Sequence, residues 1–259
     1  MRPRRIAVLA ALAAATVSVT AASQGRAGGG APIVACGQLV TTSAFLTKNL
    51  ECPGAHGIVA FASGITIDLK GFRLRGDRTP GRYGIDVPGF DHVTVKNGVV
   101  TDFAIGVAGL NGADTLVISK VVASGNGAHG IFVEGTSAKI ASSSAVGNAG
   151  NGILVTGATA TLVQSSIASG NGGNGIFVIG NATRVQSTTA SGNAGDGISV
   201  VDNAPVLRGN RADGNGFAGG VSDLSGRGIT TSLSLKPPVG TNVAHGNDNP
   251  GECSPSDLC

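Results

Sequence analysis

The side chains able to transfer protons or hold a cation crowd into one part of the chain. Between residues 68 and 102 stand Asp68, Lys70, Arg73, Arg75, Asp77, Arg78, Arg82, Tyr83, Asp86, Asp91, His92, Lys96 and Asp102. If these converge, an Arg or Lys such as Arg73 or Arg75 is the candidate base. Asp86, Asp91 or Asp102 is then the candidate acid or metal ligand, with His92 among them. No known catalytic spacing runs through the set, so a solvated charged face is the competing reading. Downstream the chemistry thins out: from 120 to 202 the only charged residues are Lys120, Glu134, Lys139, Arg184, Asp196 and Asp202. These are too scattered to supply the two carboxylates, about 5 to 10 Å apart, of a glycoside-cleaving pair.

A second chemical signal is G-x-G-x-x-G, the phosphate-cradling turn of dinucleotide sites. It fits three times, at 125–130, 170–175 and 214–219, and one chain rarely carries three such loops. The cause is an internal repeat. Gly-Asn recurs at Gly125-Asn126, Gly147-Asn148, Gly170-Asn171, Gly192-Asn193 and Gly214-Asn215, at steps of 22, 23, 22 and 22 residues. Alanine accompanies each pair at Ala123, Ala145, Ala168, Ala190 and Ala212, and a further glycine follows at Gly130, Gly152, Gly175, Gly197 and Gly219. Ile131, Ile153, Ile176 and Ile198 come next, each with a valine two positions on.

Elements that position these residues follow from the period. A unit of 22 residues with β-branched residues in short alternating runs cannot bury its apolar face alone, so the units must stack. Alternation in Gly-Ile-x-Val sends Ile131 and Val133 to one side and Phe132 to the other. In-register stacking pairs each strand in parallel with its counterpart about 4.8 Å away. The alanines then mark a crowded column, the asparagines an amide ladder, and the glycines turns of positive φ. Gly57-Ile58, Gly84-Ile85 and Gly106-Val107 extend the pattern upstream at irregular spacing, giving roughly eight coils about 35 to 40 Å long. The longest early step, from Gly57 to Gly84, leaves room for a projecting loop at Thr79-Pro80-Gly81. In the column before the repeat glycine, His129, Asn151, Asn174 and Asp196 read as polar turn residues facing water. His129 and Asp196 would be roughly 14 Å apart by strand spacing, too far for a dyad.

Composition supports a folded, exported protein. Forty-three glycines and 13% charged residues accompany a hydrophobic share of 41%, enough for a core of small aliphatics. The net charge of +3 gives no ground for nucleic-acid binding. Residues 1–22, basic at Arg2, Arg4 and Arg5 and then apolar, have the form of a secretory signal peptide. Their apolar run is shorter than the roughly 20 residues of a membrane span, so no stable span is expected after its removal. Export suits the cysteines, which fall outside the repeats as Cys36 with Cys52 and Cys253 with Cys259. Two local disulfides are expected, and no zinc site, since C-x-x-C pairs are absent. The organisation expected is a signal peptide (1–22), a linker and N-terminal cap (23–56), the coils (57–228) and a C-terminal cap segment (229–259). Asn181-Ala-Thr183 is a glycosylation sequon whose meaning depends on the host.

The segment Gly64-Ile-Thr-Ile-Asp-Leu-Lys-Gly71, then Val93-Thr-Val-Lys-Asn-Gly98 and the serial Ser-Gly-Asn units resemble the right-handed parallel β-helix repeat proteins of pectate-lyase-like fold, over about residues 31 to 259. The resemblance implies an all-β, right-handed parallel β-helix with disulfide-stapled caps. It also implies an association with polysaccharide. Lyases of this fold use a Lys or Arg base near acidic calcium ligands, so calcium is expected here only if the chain is a lyase; otherwise no cofactor is expected. The paired aspartates with Gly-His-Gly of the hydrolases and the Asp-Pro-His-Glu of the epimerases do not occur here.

A final candidate surface is apolar. Phe132, Leu154 and Phe177 take the outward position of successive strands, beside Ile179 and Val201. Such a column on a secreted protein serves a partner, a second copy of the chain, or a covering segment of its own such as 232–238. The reading favoured is a secreted, extracellular or periplasmic, non-catalytic polysaccharide-binding or surface scaffold. The alternative is a polysaccharide lyase or related carbohydrate-active enzyme using the charged early coils. A copper-site accessory protein would need Met, His or Cys ligands, and the initiator is the only methionine.

Overall fold

The alternation written in the repeats becomes an inside and an outside. Ile131 and Val133 are fully buried while Phe132 between them is only half-buried, and Ile153, Val155, Ile176, Val178, Ile198 and Val200 repeat the pattern. The computed structural model describes residues 30–202, 205–216, 229–231, 242–247 and 253–254. The expected signal peptide, the segment 232–238, Gly219 and Cys259 lie outside the described residues.

Every strand pairing is parallel and links a residue to its counterpart one coil on. Ile58, Ile85, Val107, Ile131, Ile153, Ile176, Ile198 and Ile229 form one such inward column. The described strands make two sheets. A ten-stranded sheet takes one strand from each level of the stack, from Gln38–Val40 to Cys253–Ser254. A sixteen-stranded sheet takes the rest and bends at a corner between strands such as Lys139–Ala141 and Ser144–Val146. The result is a parallel β-solenoid of about eight coils, in which the expected cap segments at both ends also contribute strands in register. No helix among the described residues is long and apolar enough to cross a membrane.

Two side-chain columns hold the turns. Each ladder asparagine donates an amide hydrogen to the next one's Oδ1, from Asn126 through Asn148, Asn171, Asn193 and Asn215 to Asn247, at 2.8 to 2.9 Å. The same Oδ1 atoms accept the backbone N–H of the preceding asparagine, so these buried amides leave few polar groups unpaired. A second, shorter ladder joins Asn210 to Asn242. The N-terminal coil is closed by the Cys36–Cys52 disulfide, with Cα atoms 5.5 Å apart and a sequence separation of 16. A loop of that length corresponds to about 3 kcal/mol in the chain-entropy account. Cys253 is disulfide-bonded as well.

The two glycine columns do different work. Gly125, Gly147, Gly170, Gly192 and Gly214 have φ of 59 to 64°, as a turn role requires. Gly130, Gly152 and Gly175 do not share that conformation. A Cβ on Gly152 would stand 2.6 Å from Asn171 Nδ2 and 2.7 Å from the Gly175 carbonyl oxygen. These glycines let the ten-stranded sheet approach the asparagine ladder, with the alanine column packed beside them: a Cβ on Gly130 would lie 3.1 Å from that of Ala145.

Candidate functional site

The charged early residues do not form one cluster, because the coil carries them to different sides. Arg73 and Arg75 stand on a strand of the sixteen-stranded sheet and face Glu51 at 3.8 and 3.9 Å. Asp102 is held on both oxygens, by Arg75 Nε at 3.0 Å and Arg78 Nη2 at 3.1 Å. Asp68 lies under Lys70 and Lys96 and accepts from the Lys70 N–H and the Asn97 amide. Burial pushes its pKa up, but those hydrogen bonds and the two ammonium groups outweigh it, so the carboxyl sits below the ordinary aspartate value. Asp91 and His92 are in a turn, where Asp91 accepts the Asp114 N–H and exposed His92 takes φ of 56°.

Asp86 alone of this set stands on the ten-stranded sheet, and it points outward. Its strand, Tyr83–Pro88, buries Ile85 and Val87 and turns Asp86 the other way. Burial of the carboxyl raises its pKa. Its Oδ1 is buried without a hydrogen-bond partner, and its Oδ2 is 3.9 Å from His56 Nδ1. That nitrogen accepts the Tyr83 N–H at 3.3 Å, so in this arrangement it carries no proton toward Asp86. The Tyr83 ring stands edge-on to His56 with centroids 5.4 Å apart. Oδ1 is closed off from outside, and with the side chain only 15% exposed a hydroxyl can reach the carboxyl only through Oδ2, as donor to it when it is ionised.

Register places Asp86 in the same outward column as the apolar candidates. That column runs Leu39, Val59, Asp86, Ala108, Phe132, Leu154, Phe177, Ser199 and Thr230. Phe132, Leu154 and Phe177 are half-buried, and Leu39, Phe61, Ile179 and Val201 are exposed on the same side. Along its edge the column before the repeat glycine forms a ladder: His129 Nδ1, Asn151 Oδ1 and Asn174 Oδ1 each accept the backbone N–H one coil on. Burial holds the His129 pKa below its ordinary value, and its ring packs on Phe132 at 5.7 Å. The asparagines use only their oxygens in this ladder, leaving both Nδ2 amides as donors.

Sequence reasoning named Asp86 but placed it with Arg73, Arg75 and Asp102, and it passed over His56. The signal for His56 was present: it precedes Gly57 as Tyr83 precedes Gly84 and His129 precedes Gly130. Among the described residues no group of three His, Cys, Asp or Glu side chains is placed to hold a metal ion.

A family model for the right handed beta helix region matches residues 48–189 and, in an overlapping match, 83–251. Among solved structures, the chain is similar to the pectate lyase Pel9A at 17% identity, with a TM-score of 0.47 over 81% of this chain and 72% of that one. The A-module of the Azotobacter vinelandii mannuronan C-5 epimerase AlgE4 is 15% identical, with a TM-score of 0.49 over 83% and 76%. The Agl-KA catalytic domain is 12% identical, with a TM-score of 0.43 over 82% and 54%. Likenesses at this level carry no argument about activity. No curated protein matches the sequence significantly.

Proposed function

The chain belongs to the right-handed β-helix family, and from that premise we propose that the outer face of its ten-stranded sheet binds an extended polysaccharide without cleaving it, on a protein exported to an oxidising compartment. The observation that carries the reading is the in-register outward column from Leu39 to Thr230, about 38 Å long at one strand spacing per coil and covered at Ala108, which is fully buried. A surface that repeats along one axis suits a ligand that does the same. Phe132, Leu154 and Phe177 offer apolar contact to the C–H faces of sugar rings. Asn151, Asn174, Ser199 and Asp86 offer donors and acceptors to hydroxyls. The Cys36–Cys52 disulfide supports export, since such bonds persist in oxidising compartments.

The binding reading is favoured over hydrolysis because Asp86 stands alone in its column. The next carboxylate on this face, Glu134, is two coils on and two residues along the strand, about 12 Å away by strand spacing and rise. Its Oε2 accepts the Asn111 N–H at 3.4 Å. Paired glycosidase carboxyls sit about 5 to 9.5 Å apart.

The test is retention on a panel of polysaccharides for the wild type and for Phe132→Ala/Phe177→Ala, with released reducing ends and unsaturated products followed in the same samples. Retention that weakens about tenfold or more in the double variant, equivalent to about 1.4 kcal/mol, without products, is expected. Retention indifferent to both substitutions would remove the face from consideration. One observation favours a second reading: the raised pKa and unpartnered Oδ1 of Asp86 suit proton transfer. Products that Asp86→Asn abolishes would establish it in place of the first.

A further inference from the structure

We infer that the polysaccharide held on the ten-stranded face is uncharged, and that polyuronates and other polyanions are turned away from it. The inference rests on the binding reading above and adds the class of ligand. Its ground is how the fold distributes charge. Among the described residues no strand of the ten-stranded sheet contains a Lys or Arg, whereas Asp86 and Glu134 lie on the outward side of its strands. Arg73, Arg75, Lys96, Lys120, Lys139, Arg184, Arg208 and Arg211 all belong to strands of the sixteen-stranded sheet.

A polyuronate carries a carboxylate on every sugar, so laid along this column it would bring a row of negative charge over Asp86 and Glu134 with no ammonium or guanidinium to meet it. Like charges set opposite one another work against a partner by several kcal/mol in ordinary interfaces, and such unpaired charge is a usual device of discrimination. The two imidazoles do not restore the balance. Nδ1 of His129 and Nδ1 of His56 each accept a backbone N–H, which needs an unprotonated nitrogen. Arg78 is held by Asp102, and exposed Arg82, immediately before Tyr83, is a single cation at the start of the Asp86 strand. An uncharged glycan needs none of these. It takes C–H contact from Phe132, Leu154 and Phe177 and hydroxyl contacts from the Asn151 and Asn174 amides.

The test compares retention of the full chain on soluble uncharged glucans with retention on polygalacturonate and alginate, at low and high salt, for the wild type and Phe132→Ala/Phe177→Ala. The expected result is retention on an uncharged glucan that persists at high salt and falls about tenfold or more in the double variant. Polyanion retention should be absent, or be salt-sensitive and unchanged in that variant, which assigns it to the basic sixteen-stranded sheet. Polyanion retention that falls in the double variant, at or above the level for uncharged glucans, overturns the inference while leaving the binding face in place. No variant-sensitive retention on any glycan removes the binding face itself, and the inference with it. As a gain-of-function arm, Ile179→Lys/Val201→Lys puts two cations at exposed positions of the face. It should acquire salt-sensitive polyanion retention, and its failure to do so counts against charge as the discriminating factor.

Discussion

Replacing either of two glycines in one coil with alanine should separate the two roles that glycine plays here. Gly147 has φ of 63°, and a Cβ there would meet nothing within 4 Å. Gly147→Ala therefore carries only the left-handed backbone penalty, about 1 to 2 kcal/mol. Gly152 is the reverse case: its Cβ would lie 2.6 Å from Asn171 Nδ2 and 2.7 Å from the Gly175 oxygen. Neither neighbour yields readily. The Gly175 oxygen accepts the Ile153 N–H at 2.9 Å, and Asn171 Nδ2 donates to the Ala145 oxygen at 3.1 Å and to Asn193 Oδ1 at 2.8 Å. Overpacking of about 1 to 3 kcal/mol combines with a displaced buried amide, itself about 1 to 3 kcal/mol, for a loss of about 2 to 6 kcal/mol, centred near 4. Urea titration followed by circular dichroism reads both variants, and the midpoint should move much further for Gly152→Ala at unchanged slope. Equal losses, or a larger loss for Gly147→Ala, would refute close approach as the reason for the second glycine column.

Two further outcomes follow from the same structure. Asn171→Ala removes the partner of the Asn148 backbone N–H at a position itself 2% exposed, so a loss of about 2 to 4 kcal/mol is expected from the orphaned donor and the broken ladder; a loss under about 0.5 kcal/mol in urea titration would show that the amide column contributes little. Asp86→Asn should stabilise the protein at neutral pH. Because burial raises the Asp86 pKa, its contribution is fully present below the unfolded value of about 3.9 and is lost as pH rises through the folded value. The stability gap between variant and wild type should open over that window, by about 1.4 kcal/mol for each unit of displacement, and a gap independent of pH would argue against a desolvated carboxyl.

The solenoid was legible because its period is written in residue types that have one structural use. Gly-Asn at fixed steps, with alanine and Gly-Ile-x-Val alongside, leaves no other arrangement that buries the isoleucines. The early coils were less legible for a physical reason. Where the step stretches to 27 residues between Gly57 and Gly84, sequence separation no longer reports which side of the coil a residue occupies. Asp86 and Asp102 thus looked like neighbours although Asp86 stands on the ten-stranded sheet and Asp102 in the bend just after a strand of the other sheet. The C-terminal continuation was obscured in the same way. Gly246-Asn247 and Ala244 rejoin the glycine, asparagine and alanine columns, but the irregular step hid them in what looked like a cap. The second glycine column was misassigned to turns because sequence shows that a side chain is missing and does not show whether torsion or space excludes it.

The amide ladder passes from Asn193 to Asn215 across 22 residues and from Asn215 to Asn247 across 32 without losing its geometry. The column thus records only where a coil returns, and is indifferent to how far the chain wandered in between. A gene for such a protein can gain or lose a coil by unequal recombination between its similar repeats, or accept an insertion at a coil's margin, and both ends of the stack still find the contacts they had. Each added copy would extend the outer face by about 4.8 Å. The length of ligand it spans is therefore set by copy number, a quantity inheritance can adjust in single steps without redesigning any one coil.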